Sequence, residues 1–174
     1  MRASWETMTV GVTVRGVRPD EHSALASLTL SAYEALLGDD MDDGYRVELA
    51  DVTARAAVSV VLVAVDAGEQ LLGGVTYLPG PGPLAPFDDP CEAAIRYLAV
   101  APEAQDRGVG ATLITACVER ARSEGKARIS LHTTAPMTTA QRLYQRAGFR
   151  RDPDHDWEIE PGLLLLAYVL DLGR

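Results

Sequence analysis

The stretch that most limits what this chain can become runs from Arg96 to Leu113. A strand ends, Ala101-Pro102-Glu103-Ala104 breaks it, and the glycines Gly108 and Gly110 open a helix. Helix N-termini leave backbone N–H groups unpaired and carry positive partial charge, which suits phosphate oxygens. Glycine at 108 and 110 removes the Cβ atoms that would hold a pyrophosphate away from those amides, and Arg107 stands where it can add a cationic contact. Two other phosphate-binding patterns fit poorly. A dinucleotide loop wants a third glycine where Leu113 stands, and a tight turn where Ala101 to Arg107 intervene. A P-loop wants a lysine and a hydroxyl residue where Ala111-Thr112 follow. The bland rival is a glycine-capped helix start that binds nothing.

The rest of the chain supplies a setting for that segment. Residues 1–9 read as a flexible tail and 10–174 as a single domain. Val12 to Arg15 alternates as a strand. Asp20 is placed to cap a helix reaching Leu37, with Ala24, Leu25, Leu28 and Ala32 on its buried face. An acidic loop from Gly38 to Gly44 precedes a second helix carrying Val47, Leu49 and Val52 and ending near Ala57. The valine-rich run Ser59 to Val65 reads as a buried strand, turned at Asp66 to Glu69 into Leu71 to Leu78. Pro79 to Pro90 is a loop, and Glu92 to Val100 the next strand. Gly110 to Glu124 has helical periodicity through Leu113, Ile114, Cys117, Val118 and Ala121. Arg128 to Leu131 predicts a strand, Pro136 to Ala147 a helix stopped by Gly148, and Leu163 to Asp171 a last strand. Mixed α/β around one central sheet follows.

Composition removes several classes of function. A net charge of -9 leaves no global basic surface for a phosphate backbone, so nucleic acid is not an expected partner. Cys91 and Cys117 stand far apart and in no metal-ligand spacing, which suits a reduced chain without a metal. The longest apolar run, Leu163 to Leu170, is far shorter than the roughly 20 residues a spanning helix needs. Residues 1–9 carry no apolar core of a secretory signal. A soluble, cytoplasmic protein away from membranes is the expectation.

Gln105-x-x-Gly108-x-Gly110, after a strand and a proline-containing bend, resembles the acyl-CoA pyrophosphate signature of the GNAT acetyltransferases. Further on, Leu143-Tyr144-Gln145-Arg146-Ala147-Gly148-Phe149 is similar to that family's LYxxxGF segment. The resemblance covers about Val12 to Leu170. It implies the GNAT acyl-CoA N-acyltransferase fold, an α/β architecture whose mixed central sheet splays between its fourth and fifth strands and is flanked by helices. The opening would lie between the strands ending at Val100 and Leu131. It also implies acetyl-CoA as co-substrate, a small-molecule or peptide amine as acceptor, and direct attack in a ternary complex. Dimers are common among members. Carried over by position, Leu98, Ala99 and Val100 would run along the pantetheine arm, with Leu98 and Val100 offering backbone groups. Gln105, Asp106, Arg107, Gly108, Val109, Gly110 and Ala111 would surround the pyrophosphate, and Tyr144 would be the general acid. Two positions depart from the family pattern. Asp106 stands where glycine or a basic residue is usual, so its carboxylate must turn from the phosphates or weaken binding. Met137 stands where many members carry asparagine.

Amine attack on a thioester needs a free amine, a donor for the oxyanion and a proton for the thiolate, but no covalent enzyme intermediate. Tyr144 suits the acid role because a phenol holds its proton at neutral pH. The base is open. Ala94 occupies the position where relatives often carry glutamate; Glu92, two residues earlier, shares its strand face, as does Arg96. Glu92 is the candidate base, acting directly or through water, and His132 is its rival. Arg96 could orient a substrate carboxylate or pair with Glu92. The aspartates at 39, 40, 42 and 43 would attract a cationic amine if they border the cleft. A longer acyl-CoA, or a non-catalytic acyl-CoA-binding or sensory domain, are the alternatives.

Overall fold

The computed structural model describes residues 8–9 and 11–173, so most of the tail expected over residues 1–9 lies outside the described residues. Nine strands form one sheet: β1 (Met8–Thr9), β2 (Val12–Gly16), β3 (Val60–Val65), β4 (Leu71–Leu78), β5 (Glu92–Val100), β6 (Arg128–Thr134), β7 (Arg150–Arg151), β8 (Trp157–Glu160) and β9 (Leu163–Asp171). Their spatial order is β1-β2-β3-β4-β5-β6-β9-β7, with β8 also paired to β9. Only β5 and β6 run parallel, and their pairing lasts from Glu92↔Arg128 to Ile95↔Leu131. Past that point β5 continues to Val100 with β4 alone beside it, while β6 continues with β9. The sheet therefore forks where the resemblance implied.

Helices α1 (His22–Leu37), α2 (Asp43–Ala50) and α3 (Val52–Val58) cover one face, and α4 (Val109–Ser123) and α5 (Thr138–Arg146) the other. β3 is apolar throughout because it is buried on both sides: Leu62 and Ala64 join the core under α4, and Val61, Val63 and Val65 join the core with Leu25 and Val52. β5 behaves differently. Ala93 and Ile95 belong to the α4 core, yet Tyr97 and Ala99 pack with α1 and α2. Residues of equal parity share a face in a regular strand, so the phase must reverse between Ile95 and Tyr97. It does so at a bulge. Gly74 pairs with Ala99 and Thr76 with Arg96, leaving Tyr97 and Leu98 opposite Val75 alone. Tyr97 takes φ 54°, a left-handed conformation unfavourable for an aromatic residue.

Several local expectations need correction. Glu21, not Asp20, organises the start of α1: its carboxylate accepts from the Arg18 amide at 2.8 Å and from Arg15 at 2.7 and 2.9 Å. Ala24 is exposed, and the buried face of α1 is Leu25, Thr29, Ala32 and Tyr33. The second helix is two, because the Asp51 side chain leaves the helix and accepts from the Ala54 amide to cap α3. Val47 is 69% exposed. α4 begins at Val109, α5 only at Thr138, and β6 runs to Thr134. The β8–β9 hairpin had no sequence expectation for its first strand, where Glu158 and Glu160 interrupt the apolar residues.

α4 docks closely because β4 carries glycine beneath it. A Cβ at Gly73 would lie 2.6 Å from the Ala99 carbonyl oxygen, 3.2 Å from Val109 and 3.3 Å from Leu113. Backbone cannot yield as a side chain can. Gly73→Ala is expected to destabilise by about 1–3 kcal/mol in denaturant melts. Gly82→Ala, with no atom within 4 Å of its Cβ, should change stability little.

Candidate functional site

Two loop anchors set the geometry of the glycine segment. Ala104 and Val109 are buried in the α4 core, at 0% and 1% exposure, so Gln105 to Gly108 are held as an arch on the surface between them. Asp106 at φ 59° and Gly108 at φ 77° give the arch its turns. Gly108 is the N-cap of α4, and its carbonyl accepts from the Thr112 amide at 3.0 Å, the first bond of the helix. The amides of Val109, Gly110 and Ala111 precede that bond and have no partner within the helix. They point a partial positive charge outward, next to exposed Arg107. A side chain at Gly108 would meet nothing within 4 Å, so space is open there. Gly110 serves another purpose than clearance for phosphate: its missing Cβ would come 3.1 Å from Leu143 of α5 and 3.7 Å from Val100.

That contact links the two motifs. Leu143 packs on α4 at Gly110, the neighbouring Tyr144 turns into the fork, and Phe149 sits 6.2 Å from the Tyr144 ring centre. Tyr168 supports the same ring from β9 at 6.2 Å. Tyr144 is 6% exposed, and burial pushes its phenol well above its ordinary range, so the proton stays on. The fork encloses a cavity of about 200 Å³, walled by Ala94 to Leu98 of β5 and Leu131 to Thr134 of β6, with Met137 and Tyr144 from the α5 side. Thr133 and Thr134 bring buried hydroxyl oxygens without hydrogen-bond partners to this wall. From Arg96 onward, β5 backbone groups on the side away from β4 face the opening rather than another strand. Open strand amides along a slot suit an elongated amide-bearing chain, and the α4 terminus suits its phosphates. The residues present therefore fit an acyl-CoA.

Leu98, Val100, Val109 and Tyr144 thus share the α4 core, with Gly110 against Val100 and Leu143 and Gly108 exposed at the arch, while Ala99 turns to the α1–α2 core. Gln105, Asp106, Arg107 and Ala111 lie on the exposed arch and first helical turn. Glu92 is elsewhere. It is 5% exposed at the paired end of β5, accepts from Arg128 at 2.6 and 2.8 Å and from the Ser130 hydroxyl at 2.7 Å, and does not line the fork cavity. Its carboxylate is held by these partners in an ion pair with Arg128. Arg96 does not pair with it. Arg96 donates to the Leu84 carbonyl at 3.0 Å and approaches Glu48 at 3.4 Å. Nor do the aspartates at 39, 40, 42 and 43 line either cavity; Asp42 caps α2 through the Tyr45 amide.

Sequence reasoning missed two features. The guanidinium groups of Arg55 and Arg96 lie over the Tyr97 ring, at 4.7 and 4.6 Å from its centre, and its hydroxyl donates to Glu48. This stack holds the bulged residue in place, and its members are distant in sequence. The second is the state of His132, just past the last β5–β6 pair. A carbonyl can only accept, so the 3.0 Å contact to the His155 carbonyl puts a hydrogen on Nε2 and leaves Nδ1 as the nitrogen not engaged by that bond. His132 borders both the fork cavity and a second one of about 200 Å³, lined by Asp88, Asp89, Asp152, His155 and Trp157. Among the described residues no cluster could hold a metal ion, and no helix is long and apolar enough to cross a membrane.

Comparison with known proteins gives this arrangement a family. Residues 24–149 match the model of the acetyltransferase (GNAT) family. The chain belongs to that family. Over 84 residues it is 38% identical to a mycothiol acetyltransferase from Cellulomonas flavigena, a match covering 47% of this chain and 24% of that protein. The chain thus spans about a quarter of the length of that relative. A GCN5-related N-acetyltransferase from Kribbella flavida superposes with TM-score 0.70 at 26% identity, covering 94% of this chain and 99% of the other. A structure from Salmonella typhimurium solved with its cofactor acetyl-CoA gives 0.68 at 20% identity, covering 94% and 95%.

Because Glu92 holds Arg128 at the paired end of the fork, Glu92→Gln is expected to lower stability by about 1–3 kcal/mol. Chemical denaturation of Glu92→Gln, Arg128→Met and the double variant should show coupling between the two positions. Additive effects would remove the ion pair from the account.

Proposed function

We propose that the protein transfers an acetyl group from acetyl-CoA to a primary amine of a small molecule or peptide, by direct attack in a ternary complex. The observation that carries this is the fork, with the open N-terminus of α4 at its rim and a protonated, buried Tyr144 inside. Family membership and the acetyl-CoA found in the Salmonella typhimurium structure support the choice of donor.

Each group has a task. The amides of Val109, Gly110 and Ala111, with Arg107 and the arch at Gln105, bind the pyrophosphate. Asp106 belongs to the same arch, its carboxylate directed away from the phosphates. Backbone groups of Leu98 and Val100, with the hydroxyls of Thr133 and Thr134, orient the pantetheine arm; Ala99 keeps that stretch of β5 seated on α1 and α2. Acetyl-CoA supplies, when bound, an acyl group on a good leaving sulfur. Tyr144 Oη holds a proton for the departing thiolate. His132 Nδ1, the nitrogen not engaged by the Nε2–H bond to His155, takes the proton from the amine; Glu92, committed to Arg128 and Ser130, does not.

Tyr144→Phe should lower kcat by roughly 10²-fold or more with little change in acetyl-CoA affinity. The raised pKa of Tyr144 puts the acid form in place across the neutral and mildly alkaline range, so kcat of the parent should not fall between about pH 8 and pH 10. His132→Gln should lower kcat/KM well below the parent, whereas Glu92→Gln should lower it little. A His132→Gln value equal to the parent's would exclude His132 as base.

Ala111→Asp tests the donor site with the fold intact, because an acidic residue in the first helical turn is favourable for the helix. Calorimetry should show acetyl-CoA binding at least about tenfold weaker, a loss of about 1.4 kcal/mol. Gly110→Asp would confuse the test by striking Leu143. Unchanged affinity in Ala111→Asp would detach the α4 terminus from phosphate binding.

A further inference from the structure

The β8–β9 hairpin is apolar where it has no partner. Of the seven large apolar side chains exposed among the described residues, four, Trp157, Ile159, Leu163 and Leu164, fall on this single hairpin. An exposed apolar concentration of this kind marks a surface that meets something. It is also continuous with the site. Trp157 pairs with Leu165 across the hairpin, and both side chains line the fork cavity; Trp157 lines the second cavity as well. At the junction of the two cavities stands His132, whose Nδ1 is the proposed base. The second cavity adds carboxylates from Asp88 and Asp89, with Asp152 bonded to His155 and the Glu92–Arg128 ion pair also on its wall.

The hairpin is held in position rather than loosely attached. Arg151 bonds Asp156 through both carboxylate oxygens, at 2.7 and 2.8 Å, and the Ala167 amide donates to Asp156 at 2.8 Å. These bonds fix the turn at Pro153–His155, whose carbonyl orients His132. The aromatic surface of Trp157 and the base are thus carried by one local framework. A purely polar, flexible polycation would match the carboxylates but leave the apolar hairpin in water. An amine with an apolar body satisfies both.

We propose that the acceptor is a primary amine joined to an apolar or aryl body, the body lying along Trp157, Ile159 and Leu163 and the amine reaching His132. This rests on the acetyl-transfer reading for the role of His132. Recognition of the body by the hairpin does not require turnover, so binding and reaction can fail separately.

Trp157 reports on its own site. The chain has two tryptophans, Trp5 and Trp157, so Trp5→Phe leaves Trp157 as sole indole emitter. This variant, saturated with CoA, is titrated with 4-phenylbutylamine and, separately, with spermidine. The expected result is a saturable blue shift with 4-phenylbutylamine and none with spermidine at equal concentration. Ile159→Glu should weaken the 4-phenylbutylamine response about tenfold. The idea is overturned if 4-phenylbutylamine causes no shift, or if spermidine causes an equal one. It is equally overturned if the emission tracks protein concentration alone, which would make the hairpin an interface between copies. Calorimetric binding of acetyl-CoA to the same variant, free of CoA, distinguishes the two failures: lost donor binding defeats the acetyl-transfer reading, whereas intact donor binding with a silent Trp157 defeats only this one.

Discussion

The four register pairs joining β5 to β6 are the constraint on which the rest depends. Among the described residues they are the only parallel pairing, and they stop at Ile95 and Leu131. Buried backbone amides and carbonyls need partners, and a strand that loses its neighbour normally ends. β5 instead goes on to Val100, supported on its other side by β4 and beneath by the close approach allowed at Gly73. The cost of that continuation is a strand edge that only a ligand or water can satisfy. The Glu92–Arg128–Ser130 cluster secures the paired end, so the divergence begins at a defined place.

The bulge at Tyr97 converts the fork into a site. By reversing the phase of β5, it sends Tyr97 and Ala99 toward α1 and α2 and leaves Leu98 and Val100 against the α4 side. A left-handed aromatic residue is costly, and the surroundings over-determine it: two guanidinium groups hold the ring and Glu48 takes the hydroxyl. Strain of this kind collects where geometry matters for function. On the other face, Gly110 and Leu143 let α5 approach α4, so the glycine arch and Tyr144 are set relative to one another by direct packing.

Much of this was legible in the residues, for identifiable reasons. Valine-rich β3, the glycine-opened α4 and the Leu143–Phe149 segment express local rules, and each stands where it was expected. The exposure of Val47 and the break at Asp51 were hidden because a side-chain cap can divide a helix without glycine or proline. Nothing between Glu92 and Val100 signals the bulge; it comes from pairing with β4 and from Arg55 and Glu48, residues remote in sequence. Glu92 looked available because its partner Arg128 lies on a strand reached only through the α4 crossover. In the acidic loop, Asp42 serves the backbone of α2, a local cap rather than a cleft contact. Pairwise partnerships across the sheet, not composition, decide which carboxylates have partners.

Hydrogen exchange across the chain, with and without acetyl-CoA, tests the central claim most directly. Added protection is expected in two segments, residues 96–100 of β5 and 109–111 of α4, with β2 and β3 unchanged. Those segments hold the strand edge without a neighbour and the helix amides without partners. Protection confined to other parts of the sheet, or none at saturating acetyl-CoA, would contradict the fork as the site where the donor is held.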